Sequence, residues 1–175
     1  MNARWVLRDA IDDDGAALAH IYNHYIRETV ITFEVDEISD VDMAARVAKI
    51  QAVGLPWLVA EGDGVVLGYA YAGQFRERAA WDHTLETSVY LDHASRGRGL
   101  GAALYAELFS RLSGLDAAQS PHAPVHAVMG VIALPNASSV ALQERFGMTH
   151  VGTFPEVGRK FDRWIDVGYW QATLD

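Results

Sequence analysis

Leucines at 100, 104, 108 and 112 return every fourth residue and draw one apolar stripe along a helix that begins near Leu100. Just before it, Glu86–Leu91 (E-T-S-V-Y-L) carries the β-branched and aromatic residues of a strand. The rest of the chain alternates between the same two periodicities. Residues 5–10 read as a first strand, and Asp12–Asp14 open a helix with Ala17, Leu18, Ile21, Tyr22 and Tyr25 on one face. Ile26–Glu34 reads as irregular and β-rich. Ser39-x-x-Asp42 is a capping-box-like start for a second helix, Val41–Ala52, which Gly54 ends. Trp57–Glu61 and Val65–Ala72 are strands joined by the turn Gly62-Asp63-Gly64.

The second half continues the pattern. Gln74–Asp82 is a polar and aromatic connection into the Glu86 strand. Ser113–Pro124 is a loop, with His122 and His126 in or beside it and expected in solvent. Val125–Leu134 alternates as a buried strand, and Asn136-Ala137-Ser138-Ser139 caps a short helix that stops at Phe146-Gly147. Met148–Phe154 and Phe161–Thr173 are two last strands, separated by Pro155–Lys160. The order β-α-α-β-β-β-α-β-α-β-β predicts a mixed α/β layer arrangement.

At 175 residues the chain suits one domain, residues 1–175, with a core that needs no staples. It has no cysteine, so disulfides and thiolate metal sites are excluded. Met1–Trp5 lacks the apolar run of a signal peptide, and no apolar stretch approaches the ~20 residues of a membrane span. A cytoplasmic protein with no membrane partner is expected. A formal charge of −9 disfavours nucleic acid and makes the local Arg96-Gly97-Arg98 cluster conspicuous. His20 and His24 lie one helical turn apart but have no third ligand, so they read as ordinary helix histidines and no metal is expected.

A strand, a glycine-rich turn and a helix N-terminus together bind anions, because unpaired N–H groups converge where the helix dipole is positive. Three phosphate loops compete for Arg96–Gly101. The triphosphatase pattern G-x-x-x-x-G-K-[ST] is absent. Gly97-x-Gly99-x-x-Ala102 satisfies the Rossmann spacing, but it lies some eighty residues into the chain without the acidic residue about 20 positions on. Arg96, Gly99 and Gly101 meet [RQ]-x-x-G-x-[GA], which resembles the pyrophosphate loop of the GNAT superfamily of N-acetyltransferases. The run I-Y-N-H-Y-I-x-E-T-x-x-T-F-E (Ile21–Glu34), E-T-S-V-Y-L and the tail F-G-M-x-x-V-G-T-F-x-x-V-G-R-K-F-D-R-W-I-D-V (Phe146–Val167) resemble the phosphinothricin acetyltransferase group within it.

That resemblance implies a mostly antiparallel central sheet flanked by helices, acetyl-CoA as co-substrate, and a homodimer. It implies acetyl transfer to the amino group of a small amino-acid-like compound of the phosphinothricin, methionine sulfoximine or methionine sulfone type. It places Val89, Tyr90 and Leu91 against the pantetheine arm and thioester through their backbone. Arg96, Gly97, Arg98, Gly99, Leu100 and Gly101 hold the pyrophosphate, and Asn136 and Ser139 touch the coenzyme from the other side. Arg76 meets the acceptor's carboxylate through its bidentate fork, and Phe33 lines the acceptor pocket or fills core. The chain departs from the group at three places: no tyrosine acid stands near Gln143 and Glu144, Asp162 replaces a glycine, and Trp81 replaces a tyrosine.

Acyl transfer needs a neutral amine, and an α-amino group with pKa near 8 is only about a tenth neutral at pH 7. Strand alternation puts Thr84, Glu86, Ser88 and Tyr90 on one face, with Leu85, Val89 and Leu91 on the other. Glu86 is therefore the candidate base, provided burial raises its pKa. His83 is the alternative. The N–H groups near Val89–Tyr90 would meet the oxyanion. Three other functions keep the loop but change the chemistry: a protein N-terminal or lysine acetyltransferase, a non-catalytic acetyl-CoA-binding regulatory domain, and a Rossmann oxidoreductase.

Overall fold

The computed structural model describes residues 5–174, so the reading of Met1–Arg4 lies outside it. Seven strands form one sheet: β1 (Val6–Asp9), β2 (Trp57–Gly62), β3 (Val65–Gln74), β4 (Thr84–Leu91), β5 (Ala127–Leu134), β6 (Thr149–Lys160) and β7 (Arg163–Thr173). Their order is β1-β2-β3-β4-β5-β7-β6. Every neighbouring pair is antiparallel except β4 and β5. Four helices flank the sheet: α1 (Gly15–Glu28), α2 (Asp40–Gln51), α3 (Leu100–Ser113) and α4 (Ala137–Arg145).

The sheet carries a core on each face. Beneath α1 and α2, Leu18, Ile21, Tyr22, Met43 and Val47 pack against Trp57, Val59 and Tyr69. On the opposite face the predicted leucine stripe is buried, with Leu100, Leu104, Leu108 and Leu112 against Leu58, Ala70, Leu85 and Val128. Strand alternation works as expected along β4. Tyr90 meets the rings of Tyr22, Tyr25 and Tyr69, while Thr87 meets Tyr105 of α3. Consecutive residues of β4 therefore serve opposite faces.

Three expectations need correction. Ile26–Glu34 forms no strand: α1 runs to Glu28 and the segment after it is irregular. Its β-branched residues are held by side chains in place of a ladder. Tyr22 donates to Glu34 and shares a hydrogen bond with Thr32, Arg46 grips Glu34 with both nitrogens, and buried Lys160 donates to the Thr32 carbonyl at 2.9 Å. Burial lowers the Lys160 pKa.

Pro155–Lys160 is no break either. β6 continues through it, and the ladder shifts register between Phe154 and Gly158. A proline is tolerated in such an irregular edge strand because no ladder N–H is required of it. The Asp166 carboxylate accepts from the Glu156 N–H at 2.8 Å, closing the bulge. The hairpin instead turns at Phe161-Asp162, both left-handed at φ 51° and 57°. Asp162 thus occupies a turn position where a glycine or aspartate suits the backbone, far along the hairpin from β4. Finally, His122 is buried and donates from Nδ1 to the Asp82 carbonyl at 2.9 Å, while His126 is exposed as expected.

Candidate active site

β4 and β5 run parallel but pair at only three positions, Thr84↔Ala127, Leu85↔Val128 and Glu86↔Met129. Beyond Glu86 the strands diverge. A narrow cleft of about 50 Å³ opens between Thr87–Tyr90 on one side and Val131–Ala133 on the other, with Asn136, Ser139 and Gln143 of the α4 end closing it. Periodicity reports which face a residue takes and nothing about which strands separate, so this opening was not legible in the sequence.

At the far end of β4 the chain is anchored to α1. The Tyr25 hydroxyl donates to the Leu91 carbonyl at 2.8 Å and accepts from its N–H at 3.1 Å. Leu91 is therefore corrected: both its backbone groups are spent on Tyr25, and it does not line the cleft. Val89 and Tyr90 do. A one-turn 3-10 segment, His93–Ser95, then leads into the glycine loop. Gly97 and Gly99 are left-handed at φ 77° and 78°, with nothing within 4 Å of where a Cβ would stand. Their backbone conformation, not crowding, is what requires glycine. Gly99 is the α3 N-cap and offers no side-chain cap, so the first N–H groups of α3 stay unpaired and point outward. Arg96 lies over the Tyr25 ring at 5.2 Å, which ties the loop's first cation to α1, and Arg98 is exposed.

Across the cleft Asn136 caps α4. Its Oδ1 accepts from the Ser139 N–H at 3.1 Å and from the Ser138 hydroxyl at 3.0 Å. Among the described residues its buried Nδ2 has no hydrogen-bond partner, and neither does Oε1 of Gln143. Buried polar groups are almost always paired, so two orphans in one cleft fit a ligand with amide groups of its own. The pantetheine arm of coenzyme A is such a ligand, and the unpaired helix N-terminus suits its pyrophosphate.

Glu86 faces α1 and α2, where burial raises its pKa and Arg76 partly offsets the rise. Among the described residues nothing hydrogen-bonds its carboxylate. Its β5 partner, Met129, lines a cavity of about 880 Å³ with Arg76, Arg78, Trp81, Phe154 and Tyr169. Its β3 partner, Gly73, lines a second cavity of about 360 Å³ beneath α2, beside Tyr71, Trp57 and Arg46. Arg76 stacks over Phe75 at 4.9 Å and makes no ion pair among the described residues. Arg78 joins it in the cavity; its signal was its place two residues on in the same exposed loop. Trp81 lies edge-on to Phe75 at 5.6 Å, at the cavity mouth. Phe33 is 43% exposed and rests on Gly158 of β6, so it belongs neither to the core nor to either cavity. His83 is exposed and donates to the Pro124 carbonyl at 3.0 Å, turned away from the face that holds Glu86.

Strands that part beside a glycine loop, with a half-buried carboxylate at the fork, have the form of a site for an acyl-coenzyme. The acetyltransferase (GNAT) domain model matches residues 7–168. The chain is 39% identical to a phosphinothricin N-acetyltransferase of Streptomyces viridochromogenes over 97% of its own length and 87% of that protein. It is 36% identical to an L-methionine sulfoximine/L-methionine sulfone acetyltransferase of Salmonella typhimurium, over 97% and 94%. The structure superposes with a TM-score of 0.90 on a GNAT phosphinothricin acetyltransferase from Sinorhizobium meliloti in complex with acetyl-CoA, at 34% identity, covering 99% of this chain and 89% of that one. The chain belongs to the GNAT acetyltransferase family and is an acetyl-CoA-dependent N-acetyltransferase. Among the described residues no three His, Asp or Glu side chains gather as a metal site, and no helix is long and apolar enough to cross a membrane.

Proposed function

We propose that the acceptor is a small amino-acid-like amine of the phosphinothricin, methionine sulfoximine or methionine sulfone type, with Glu86 as its base. The observation that carries this reading is a half-buried carboxylate that accepts no hydrogen bond among the described residues, beside a cavity lined by two guanidinium groups, Arg76 and Arg78, that make no ion pair among them. An α-amino acid presents the complementary charges. Its ammonium meets Glu86, and its carboxylate meets the forks of Arg76 and Arg78. Glu86, directly or through water, takes the proton that the amine must lose, and the raised pKa suits that task better than an ordinary glutamate's would. Val89 offers its backbone N–H to the acetyl oxygen, since the Tyr90 N–H is turned toward Tyr69 in the β3 ladder; the glycine loop holds the pyrophosphate, and Asn136 and Ser139 hold the arm.

An acceptor panel read by thiol release tests this. Methionine sulfone and phosphinothricin should turn over, and preference for a short peptide would favour the protein acetyltransferase alternative. Arg76→Ala should raise the acceptor's KM roughly 10–100-fold, the cost of one charged bidentate contact, with KM for acetyl-CoA unchanged. An unchanged acceptor KM would return Arg76 to the surface.

The reading includes one catalytic domain spanning the chain, acting in the cytoplasm as a homodimer. Val151, Phe154, Val157, Phe161 and Trp164 stand more than half exposed on the β6–β7 hairpin, an apolar strip of the kind two copies bury. Light scattering should give twice the chain mass, and cell fractionation should place the protein with cytoplasmic enzymes; a monomer or an exported protein would remove that part.

A further inference from the structure

The α3 side of the fork contains a second polar group that the function above does not use. Tyr105 of α3 is 1% exposed, yet its hydroxyl reaches the cleft that Thr87 and Gln143 line. Gln143 Nε2 donates to the Tyr105 oxygen at 3.1 Å, and Thr87 Oγ1 lies 3.3 Å from it. Thr87 in turn donates to the Met129 carbonyl at 3.5 Å. Since Thr87 and Gln143 both have donor protons directed within this chain, the Tyr105 proton is the one left to point at Thr87 or into the cleft.

The arrangement is built and held. Gln143 is 5% exposed, and its amide lies flat on Gly130 of β5, where a Cβ would come within 2.5 Å of it. Its Oε1 has no partner among the described residues. The Tyr105 ring is wedged between Phe109 and Phe146, with centroids 5.7 and 5.6 Å away. Such packing fixes the hydroxyl before any ligand arrives, and a fixed donor needs no reorganisation when charge develops. A buried amide with an unspent oxygen is costly unless a ligand satisfies it.

Position gives this chain its meaning. Glu86 and Thr87 are consecutive, so the carboxylate stands on one side of the sheet and the Thr87–Tyr105–Gln143 group on the other, at the apex where β4 and β5 part. We propose that Tyr105 is a catalytic hydrogen-bond donor to the departing sulfur of acetyl-CoA, with Gln143 and Thr87 as its positioning residues. This rests on the thioester lying in the β4–β5 cleft. The amine nitrogen forms a bond to the acetyl carbon, the carbon–sulfur bond breaks with its electron pair passing to sulfur, and the amine's proton leaves on the Glu86 side. Sulfur gains charge on the opposite side, where Tyr105 donates to it, and coenzyme A leaves as the thiol or as a thiolate that water protonates.

The hydroxyl acts as a donor that stays protonated. Burial pushes the Tyr105 pKa up to about 12, against smaller lowering effects of its bonds to Thr87 and Gln143. Such a phenol is a poor source of a transferable proton near neutral pH and a dependable source of a hydrogen bond. No tyrosine is then required in the α4 position that Gln143 occupies.

The test is Tyr105→Phe, with Gln143→Met as a second variant that keeps the tyrosine. Turnover should fall roughly 10²-fold in Tyr105→Phe, in line with loss of one preorganised donor, and less in Gln143→Met. The Kd of acetyl-CoA should stay within about threefold in Tyr105→Phe, whereas Gln143→Met, which removes the unspent Oε1 offered to the coenzyme's amides, should also weaken acetyl-CoA binding. In both variants the thiol of bound coenzyme A, followed by thiolate ultraviolet absorption, should titrate at higher pH than in the parent enzyme, which a merely structural loss would not produce. Unchanged turnover in Tyr105→Phe, or a bound thiol that titrates as before, overturns the proposal. A parent enzyme whose acetyl-CoA affinity is untouched by changes in the glycine loop would instead defeat the cleft assignment beneath it.

Discussion

Replacing Glu86 by glutamine should lower turnover roughly 10²–10⁴-fold, the usual contribution of a positioned base, while acetyl-CoA still binds. The pH behaviour makes the result specific. Burial raises the Glu86 pKa, so the carboxylate is protonated, and useless as a base, at pH values where an exposed glutamate is already ionised. The parent enzyme's kcat/KM for the acceptor should therefore fall on acidification through that raised value, and the limb should be missing from the residual activity of Glu86→Gln. Stability should move the other way. A carboxyl whose pKa is raised on folding supports the fold fully below its unfolded pKa and loses that support as pH rises through the folded value. At neutral pH the glutamine variant should thus melt higher, by about 2–4 °C for each kcal/mol relieved, with the difference vanishing near about pH 4. Full activity in the variant, or a Tm gain that persists in acid, would remove Glu86 from the role given to it.

The second large effect belongs to the glycine loop. Gly99 is left-handed at φ 78° and is the α3 N-cap. A β-branched residue there costs roughly 1–2 kcal/mol or swings the peptide out of place. Gly99→Val should weaken acetyl-CoA binding by about tenfold or more, as measured by calorimetry, with kcat at saturating coenzyme largely kept. Glu86→Gln and Gly99→Val thus separate the two halves of the site, one changing chemistry and the other affinity. An unaltered Kd in Gly99→Val would dissociate the loop from the coenzyme.

Much of this was visible in the residues because it depends on local rules. The leucine stripe at 100–112, the alternation along β4, the Asn136 cap and the glycine loop all follow from spacing or from one residue's backbone preference, and the structure has each of them. What failed depended on partners distant in sequence. Ile26–Glu34 looks β-rich, yet Thr32 and Glu34 are claimed by Tyr22, Arg46 and Lys160, the last of these 128 residues away. His122 looked like a loop histidine until its ring met the Asp82 carbonyl. Leu91 carries the right pattern for a coenzyme contact, but the Tyr25 hydroxyl, 66 residues away, already holds its backbone. Tyr105 was the least legible of all. It sits on the buried side of a leucine-rich helix, and only its contacts with Thr87 and Gln143 distinguish it from a core aromatic.

The parting of β4 and β5 has a mechanical meaning as well. Where two adjacent strands separate, their facing edges forfeit the bonds that make the rest of the sheet a continuous fabric, and the two halves meet there through only three residue pairs. A slender ligand bearing amides can lace that seam as an eighth strand would. The donor molecule then doubles as a rivet, and the spent thiol form, which keeps the same arm, can hold the seam as firmly as the loaded one.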